Sequence, residues 1–275
     1  MKSSADYTIT FACLNQLGYT QKFVSSLIES NIDMERVVAV DNHSSDSTVS
    51  WLRSMGIETI ANKKNLGCGT AWNQGILSRQ SEWTIVMNND VICHPDWLTA
   101  LLDGARMFDL KIASPSMIEG FYGDDFRDLS NQWSQRMLKY VRINTAHAVC
   151  MAIHQSVWDQ IGYFMPVPRL LGYEDGVFFQ RAKENNVSMG IVGSSWIHHY
   201  GMTTQKAMKM EQKLNERDSL GDRSLLRLYM NMNRIQRQLS RWQRKNDQKK
   251  MADKEFQLFA ATVHGIRSED KISWL

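Results

Sequence analysis

Apolar residues in the first third of the chain fall in short blocks whose spacing alternates between strand-like and helix-like periods. Residues 7–12, Tyr-Thr-Ile-Thr-Phe-Ala, predict a strand, and Phe23, Val24, Leu27 and Ile28 then repeat at helical spacing. Arg36 to Val40 predicts a second strand, which runs into the polar cluster Asp41-Asn42-His43-Ser44-Ser45-Asp46. There Ser45 or Asp46 is placed to cap a helix carrying Val49, Leu52 and Met55, stopped by Gly56. Ile57 to Ala61 is a third short strand, Asn62 to Gly69 a polar loop, and Trp72, Ile76 and Leu77 mark the next helix. Trp83 to Met87 is a fourth strand, ending in Asn88-Asn89-Asp90.

Strands alternating with helices imply an α/β fold with a mostly parallel sheet and right-handed crossovers. In such sheets ligands bind outside the carboxyl ends of the strands. Asn15, Asp41, Asn65 and Asp90 fall one at each of the four predicted ends. Further on, Pro95 opens a helix with Trp97, Leu98, Leu101 and Leu102 on one face, and 111–114 is a short strand. Residues 119–140 are charged and irregular, an excursion or lid. Ala146 to Ile153 is a strand and Gln155 to Ile161 a short helix. Leu170 to Tyr173 leads into Glu174-Asp175 and a helix with Val177, Phe178 and Ala182. Val187 to Val192 is the last strand, closing on Trp196-Ile197-His198-His199-Tyr200-Gly201.

Charge divides the chain. Residues 206–254 carry 14 Lys/Arg against 6 Asp/Glu, whereas the remainder is net acidic within a total of +3. The expected organisation is an α/β domain over 1–204 and a basic helical extension over 205–275. In that tail Leu225, Leu228, Met232, Ile235, Leu239 and Trp242 form a narrow apolar seam, with Asp222 as the helix cap. A seam of this kind needs cover: its own domain, a second copy, or an anionic membrane surface facing the arginines beside it. An acidic body argues against a nucleic-acid-binding core and suits a metal-dependent site. The four cysteines have no C-x-x-C spacing and read as reduced, buried thiols. No apolar run reaches the ~18 residues that span a bilayer, and Met1 to Asp6 is too polar for a signal peptide. The expected location is cytoplasmic, with peripheral membrane contact left open.

Each candidate group has a plain structural reading beside its chemical one. Asp90 can ligate Mg2+ or Mn2+ or end a turn, and Asp41 can bind a base or ribose or close an Asx-turn. Asn65-Leu66-Gly67-Cys68-Gly69 leads into a helix N-terminus that favours anions. Asp175 or Glu174 can act as a general base or complement a helix dipole. His198 or His199 can ligate a metal or pack in the core. H-E-x-x-H and G-x-S-x-G are absent, which disfavours a zincin and an α/β-hydrolase.

Taken in order, Asp41 to Thr48, Asn65-Leu66-Gly67 with Asn73 and Gly75, Asn88-Asn89-Asp90-Val91, Tyr173-Glu174-Asp175 and His199-Tyr200-Gly201 resemble the family 2 glycosyltransferases of GT-A fold, including bacterial-type rhamnosyl and other glycosyl transferases. The resemblance covers residues 7 to about 204. It implies an inverting transfer from a nucleotide-sugar, UDP- or dTDP-linked, to a glycan or lipid-linked acceptor in polysaccharide synthesis. Asn15 and Asp41 would hold the base; Asn65, Gly67, Asn73 and Asn89 would line the rest of the nucleotide-sugar site. Asp90, with His199 or His198, would bind Mn2+ or Mg2+, His199 being favoured. Asp175 would be the base and Glu174 its acceptor-orienting neighbour. Asn88 stands where the family's metal motif has its first acid, which keeps a non-catalytic GT-A binding module as an alternative. A nucleotidyltransferase on a similar sheet is another, although no basic residue precedes Lys22 in the first loop.

Overall fold

The computed structural model describes residues 6–166, 173–201, 234–269 and 271–275. Its first half follows the alternation in the sequence: β1 (Tyr7–Cys13), α1 (Leu17–Glu29), β2 (Val37–Asp41), α2 (Thr48–Ser54), β3 (Glu58–Ala61), α3 (Cys68–Ser78) and β4 (Trp83–Asn88). β1 pairs in parallel with β2 and β4, and β2 with β3. The register sets Cys13 beside Asp41, Ala12 beside Asn88 and Asp41 beside Ala61, so all four carboxyl ends finish at one level. Strands covered on both faces read as near-continuous apolar runs, broken here by the buried threonines Thr8, Thr10 and Thr84. Ile9, Phe11, Ile85 and Met87 pack under α1 and α2 with Phe23, Leu27 and Leu52, while Val86 joins Trp72 and Ile76 of α3 on the opposite side.

The second half is mixed. β5 (Val91–Cys93), α4 (Trp97–Met107), β6 (Ile112–Gly120), α5 (Phe126–Arg136), β7 (Val141–Ile143), β8 (Cys150–His154), α6 (Ser156–Ile161), α7 (Glu174–Glu184) and β9 (Met189–His199) follow, then α8 (Arg234–Phe259), β10 (His264–Ser268) and β11 (Lys271–Trp274). Among the described residues the strand order is β11-β10-β6-β8-β4-β1-β2-β3, with β8 antiparallel to β4 and β6. β9 is buried along its whole length and pairs with β6 in parallel and with β5 and β7 antiparallel.

Three expectations are corrected. Residues 119–140 are not an irregular excursion, because α5 lies within them. Phe126, Ser130 and Trp133 recur at i, i+4 and i+7, and Trp133 packs tilted against Trp196 of β9, ring centroids 4.8 Å apart. The chain from 205 on is not wholly a helical extension. β10 joins the central sheet parallel to β6, β11 follows antiparallel, and Ala261 and Val263 enter the core with Trp133 and Trp196. β9 is therefore not the last strand, and it runs on from Met189 through His199 rather than ending near Val192. Leu77 is also exposed, off the buried face of α3. The lead-in Leu170 to Gly172 lies outside the described residues, as do Asp222, Leu225, Leu228 and Met232. The described part of the seam, Ile235, Leu239 and Trp242, is exposed along α8. No described helix is long and apolar enough to cross a membrane.

What fastens the C-terminal elements is a buried charge pair. Arg142, beside Gly190's neighbour Ile191 on β9, donates to both carboxylate oxygens of Glu255 on α8, at 2.7 and 2.6 Å. The Tyr140 hydroxyl at 2.7 Å and the Val263 amide at 3.0 Å complete that carboxylate's shell. Glu255 is fully buried, so removing it strands the guanidinium without a counter-charge. Glu255→Ala is expected to lower unfolding free energy by about 3–5 kcal/mol. Urea denaturation measures this, and a loss under ~1 kcal/mol would contradict the account.

Candidate active site

The loops after β1 and β2 are zipped together. Asn15 and Gln16 both take left-handed backbone angles, φ 52 and 60, which turns the chain sharply out of β1. The Asn15 amide donates to Ser44 Oγ at 2.6 Å, and Asn15 Oδ1 accepts from the Ser45 amide at 2.7 Å. Asp41 is buried and its Oδ1 accepts from the amides of His43 and Ser44 at 3.1 and 2.8 Å, an Asx-turn. Asp46 accepts from the first amides of two helices, Thr48 of α2 at 3.0 Å and Leu17 of α1 at 3.2 Å. The structure thus brings Asn15 and Asp41 to one loop cluster; Ser47 occupies the N-cap position of α2, and the Asp46 carboxylate one residue earlier takes the Thr48 amide.

Asn42, which the sequence reading left unassigned, fixes the next loop. Its amide donates to the Gly67 carbonyl at 3.0 Å and accepts from the Leu66 amide and Asn62 Nδ2, both at 3.1 Å. Within that loop Asn65 Oδ1 accepts from the Gly67 amide at 3.0 Å, and Gly67 opens α3. Asn73 is committed to packing: it exchanges two hydrogen bonds with the Phe164 backbone, at 2.7 and 3.1 Å. Asn89 is likewise turned inward, donating to Thr20 Oγ1 of α1 at 2.9 Å. Gly75 lets α3 lie against β1, because a Cβ there would sit 1.8 Å from Thr10 Oγ1.

Glu174 and Asp175 separate in role. Glu174 is buried and its Oε1 accepts from the Gly69 amide at the start of α3, at 3.2 Å. A Cβ on Gly69 would lie 3.0 Å from Glu174 Cγ, so the glycine leaves room for this clasp between two helix starts. The contact caps the start of α3 from a residue remote in sequence. Asp175 is half-buried and accepts from the Gly176 amide at 2.8 Å. Burial raises its carboxyl above the ordinary aspartate value, with that amide opposing. Desolvation pushes the partly buried Cys68 thiol well up, with the charges of Glu174, Asp175 and Asp90 adding to the rise.

The two histidines point apart, as successive residues on a strand do. His199 lies opposite Val91 of β5 and Glu119 of β6. Its Nε2 is 3.3 Å from Asp90 Oδ1, and its Nδ1 is 3.9 Å from Glu119 Oε1. Both ring nitrogens are buried without an aligned hydrogen bond among the described residues. His198 faces the other way, into Tyr122, Phe126 and Tyr200, with ring centroids 4.9 to 5.9 Å away. Of the two expected metal-site histidines, the strand register therefore gives Asp90 only His199. Glu119 also meets His264 of β10, at 3.5 Å, and His264 beside it lowers its carboxyl while burial opposes. Neither residue was singled out in the sequence, since their partners are remote along the chain. Among the described residues no group of three His, Cys, Asp or Glu stands ready to hold a metal. Asp90 and His199 supply one oxygen and one nitrogen, which fits a cation that completes its shell with phosphate oxygens.

A family model described as glycosyl transferase family 2 matches residues 8–157. The chain is 29% identical over 173 residues to the low-salt glycan biosynthesis hexosyltransferase Agl10 of Haloferax volcanii, across 56% of this chain and 55% of that protein. Among solved structures it resembles S. aureus TarS in complex with UDP-GlcNAc, with TM-score 0.54 and 16% identity over 70% of this chain and 57% of that one. It also resembles the mannosyltransferase PcManGT of Pyrobaculum calidifontis in complex with GDP-Man and Mn2+, with TM-score 0.56 and 14% identity over 77% and 61%. The chain thus spans little more than half the length of these proteins, and at such identities the structural likeness is one of fold.

Burial of neutral imidazoles has a consequence for stability. Burial lowers both His198 and His147 to about 4 from 6.5. Between those values the unfolded chain takes up protons that the native chain refuses, so stability falls as pH drops from about 6.5 toward 4. The urea midpoint is expected to fall between pH 7 and pH 5, and to fall less steeply in His198→Phe. An equally steep fall in the variant would contradict the assignment of His198.

Proposed function

The chain belongs to glycosyl transferase family 2, and on that premise we propose that this GT-A protein transfers a sugar, with inversion, from a nucleotide-diphosphate donor to an acceptor hydroxyl. The observation that carries the proposal is the facing of Asp90 and His199 at the carboxyl edge of the sheet, 3.3 Å apart and buried. In this reading they hold Mn2+ or Mg2+. The bound cation would stabilise the charge that grows on the departing diphosphate. The Mn2+ bound to the PcManGT neighbour and the nucleotide-sugars bound to both neighbours support the class of ligand. A UDP- or dTDP-sugar donor and a glycan or lipid-linked acceptor remain our proposal for the pair.

The residues then divide the work. The loop cluster of Asn15 and Asp41 receives the base, and the Asn65–Gly67 turn lines the nucleotide at the positive end of α3. Asn73 and Asn89 serve the site from behind, by fixing the segment at Phe164 and the start of α1. Asp175 takes the proton of the acceptor hydroxyl as its oxygen attacks the anomeric carbon. The bond to the diphosphate oxygen breaks on the opposite face, and its electron pair leaves with the nucleotide. Attack from behind inverts the centre and needs no covalent sugar intermediate. The raised carboxyl of Asp175 favours this role, because a base nearer neutrality takes the proton more readily. In the same reading the protein is cytoplasmic, and the exposed Ile235, Leu239 and Trp242 of α8 meet a membrane surface or a second copy.

Asp175→Asn is expected to lower the transfer rate by ~10²–10⁴ while donor binding holds. Activity of the parent should rise with pH through an acid limb above the ordinary aspartate range, because the base works only when ionised. Near-normal turnover of the variant would overturn the role. Asp90→Ala is expected to abolish the gain in UDP affinity that Mn2+ confers, measured by calorimetry with and without the metal. Equal metal enhancement in variant and parent would refute Asp90 as a ligand.

A further inference from the structure

One carboxylate beside the Asp90–His199 pair has no part in the reading above. Glu119, next to last on β6, lies beside His199, and its two oxygens face two different histidines, His199 Nδ1 at 3.9 Å and His264 Nε2 at 3.5 Å. The His199 ring is therefore flanked at opposite nitrogens by two acids, Asp90 at Nε2 and Glu119 at Nδ1. An imidazole that offers Nε2 to a cation must carry its proton on Nδ1, and that N–H needs an acceptor to fix ring angle and tautomer. Glu119 is the acid placed to accept it, once the gap closes by roughly 1 Å to hydrogen-bond length.

The surrounding backbone is shaped to keep Glu119 there. Gly201 has φ +83, and a Cβ on it would lie 3.1 Å from Glu119 Oε1, so the chain leaving β9 passes close over the carboxylate. Gly120 has φ +108, and a Cβ there would lie 2.5 Å from the Arg267 carbonyl oxygen, so this glycine admits β10. β10 pairs with β6 with His264 opposite Met117 and Ile266 opposite Glu119, and its docking delivers the His264 ring to the far oxygen of Glu119. Arg142 and Glu255 anchor the stretch that leads into β10.

We propose that Glu119 is a positioning residue that orients His199 toward the cation, and that His264, carried by β10, holds Glu119 in place. The proposal rests on the reading of His199 as a cation ligand. It makes β10 a support of the site, reached from residues far beyond the region that the family model matches.

The test uses the full chain with Mn2+ and UDP as probes. Free Mn2+ is measured by electron paramagnetic resonance, and UDP affinity without metal by calorimetry. Glu119→Ala is expected to weaken Mn2+ binding in the presence of UDP about 10–100-fold, and His264→Gln by a smaller factor. Glu119→Gln keeps an acceptor oxygen and should recover part of the loss. Metal-free UDP affinity should stay within about twofold of the parent in all three, which a general loss of structure would not allow. His199→Ala separates the proposal from its premise. If His199→Ala loses Mn2+ while Glu119→Ala keeps parent affinity, the positioning role is overturned and the ligand stands. If His199→Ala itself keeps parent affinity, the ligand assignment fails and the proposal falls with it. Should Glu119→Ala not fold, by circular dichroism, Glu119→Gln and His264→Gln carry the test, and parent Mn2+ affinity in both overturns it. A fall in metal-free UDP affinity by the same factor as Mn2+ affinity also overturns it.

Discussion

The register of β9 is the constraint on which the site depends. β9 is buried from end to end, and it is hydrogen-bonded to β5, β6 and β7 together. A slip of one residue would turn every side chain to the other face. It would send His198 toward Asp90 and put His199 among the aromatic rings of Tyr122, Phe126 and Tyr200. Three partner strands, with Trp196 locked between Trp133 and Trp274, make that slip costly. The geometry of the Asp90–His199 pair is thus a product of core packing some distance from the site.

Elsewhere the carboxyl edge is held by polar side chains that reach across the chain. Asp46 takes the first amides of two helices, Asn42 gathers the loop at 62–67, and Glu174 closes the N-terminus of α3 from the start of α7. Each supplies a partner for backbone groups that helix ends and loops leave open. The glycines complete this arrangement where bulk is forbidden: Gly75 against Thr10 and Gly69 against Glu174. The loops are consequently preset before any donor arrives, which limits the ordering cost of binding.

The first half of the fold was legible because its signals are local. Each strand ends in an Asn or Asp turn, each helix shows its apolar spacing, and β1–β2 and β2–β3 pair between consecutive strands. α5 was hidden because Phe126, Ser130 and Trp133 sit among Asp and Arg residues, so composition masked a clear period. β5 is too short to show a period, and β10 owes its strand state to a sheet edge built by residues more than a hundred positions earlier, with β11 then added to β10. Asn15, Asp41, Asn65 and Asp90 lie at the carboxyl edge of the strands, but residue type did not reveal orientation. Asn73 and Asn89 turned out to face structural partners, and Glu119 and His264 became visible only once β10 met β6.

The account turns on a cation held between Asp90 and His199 against a nucleotide diphosphate. Crystals grown with Mn2+ and UDP, with data collected at the manganese absorption edge, address it directly. The account predicts one anomalous peak within bonding distance of an Asp90 carboxylate oxygen and His199 Nε2, with diphosphate oxygens completing the shell. A peak beside His198, or UDP ordered in the site with no anomalous signal between Asp90 and His199, would contradict it.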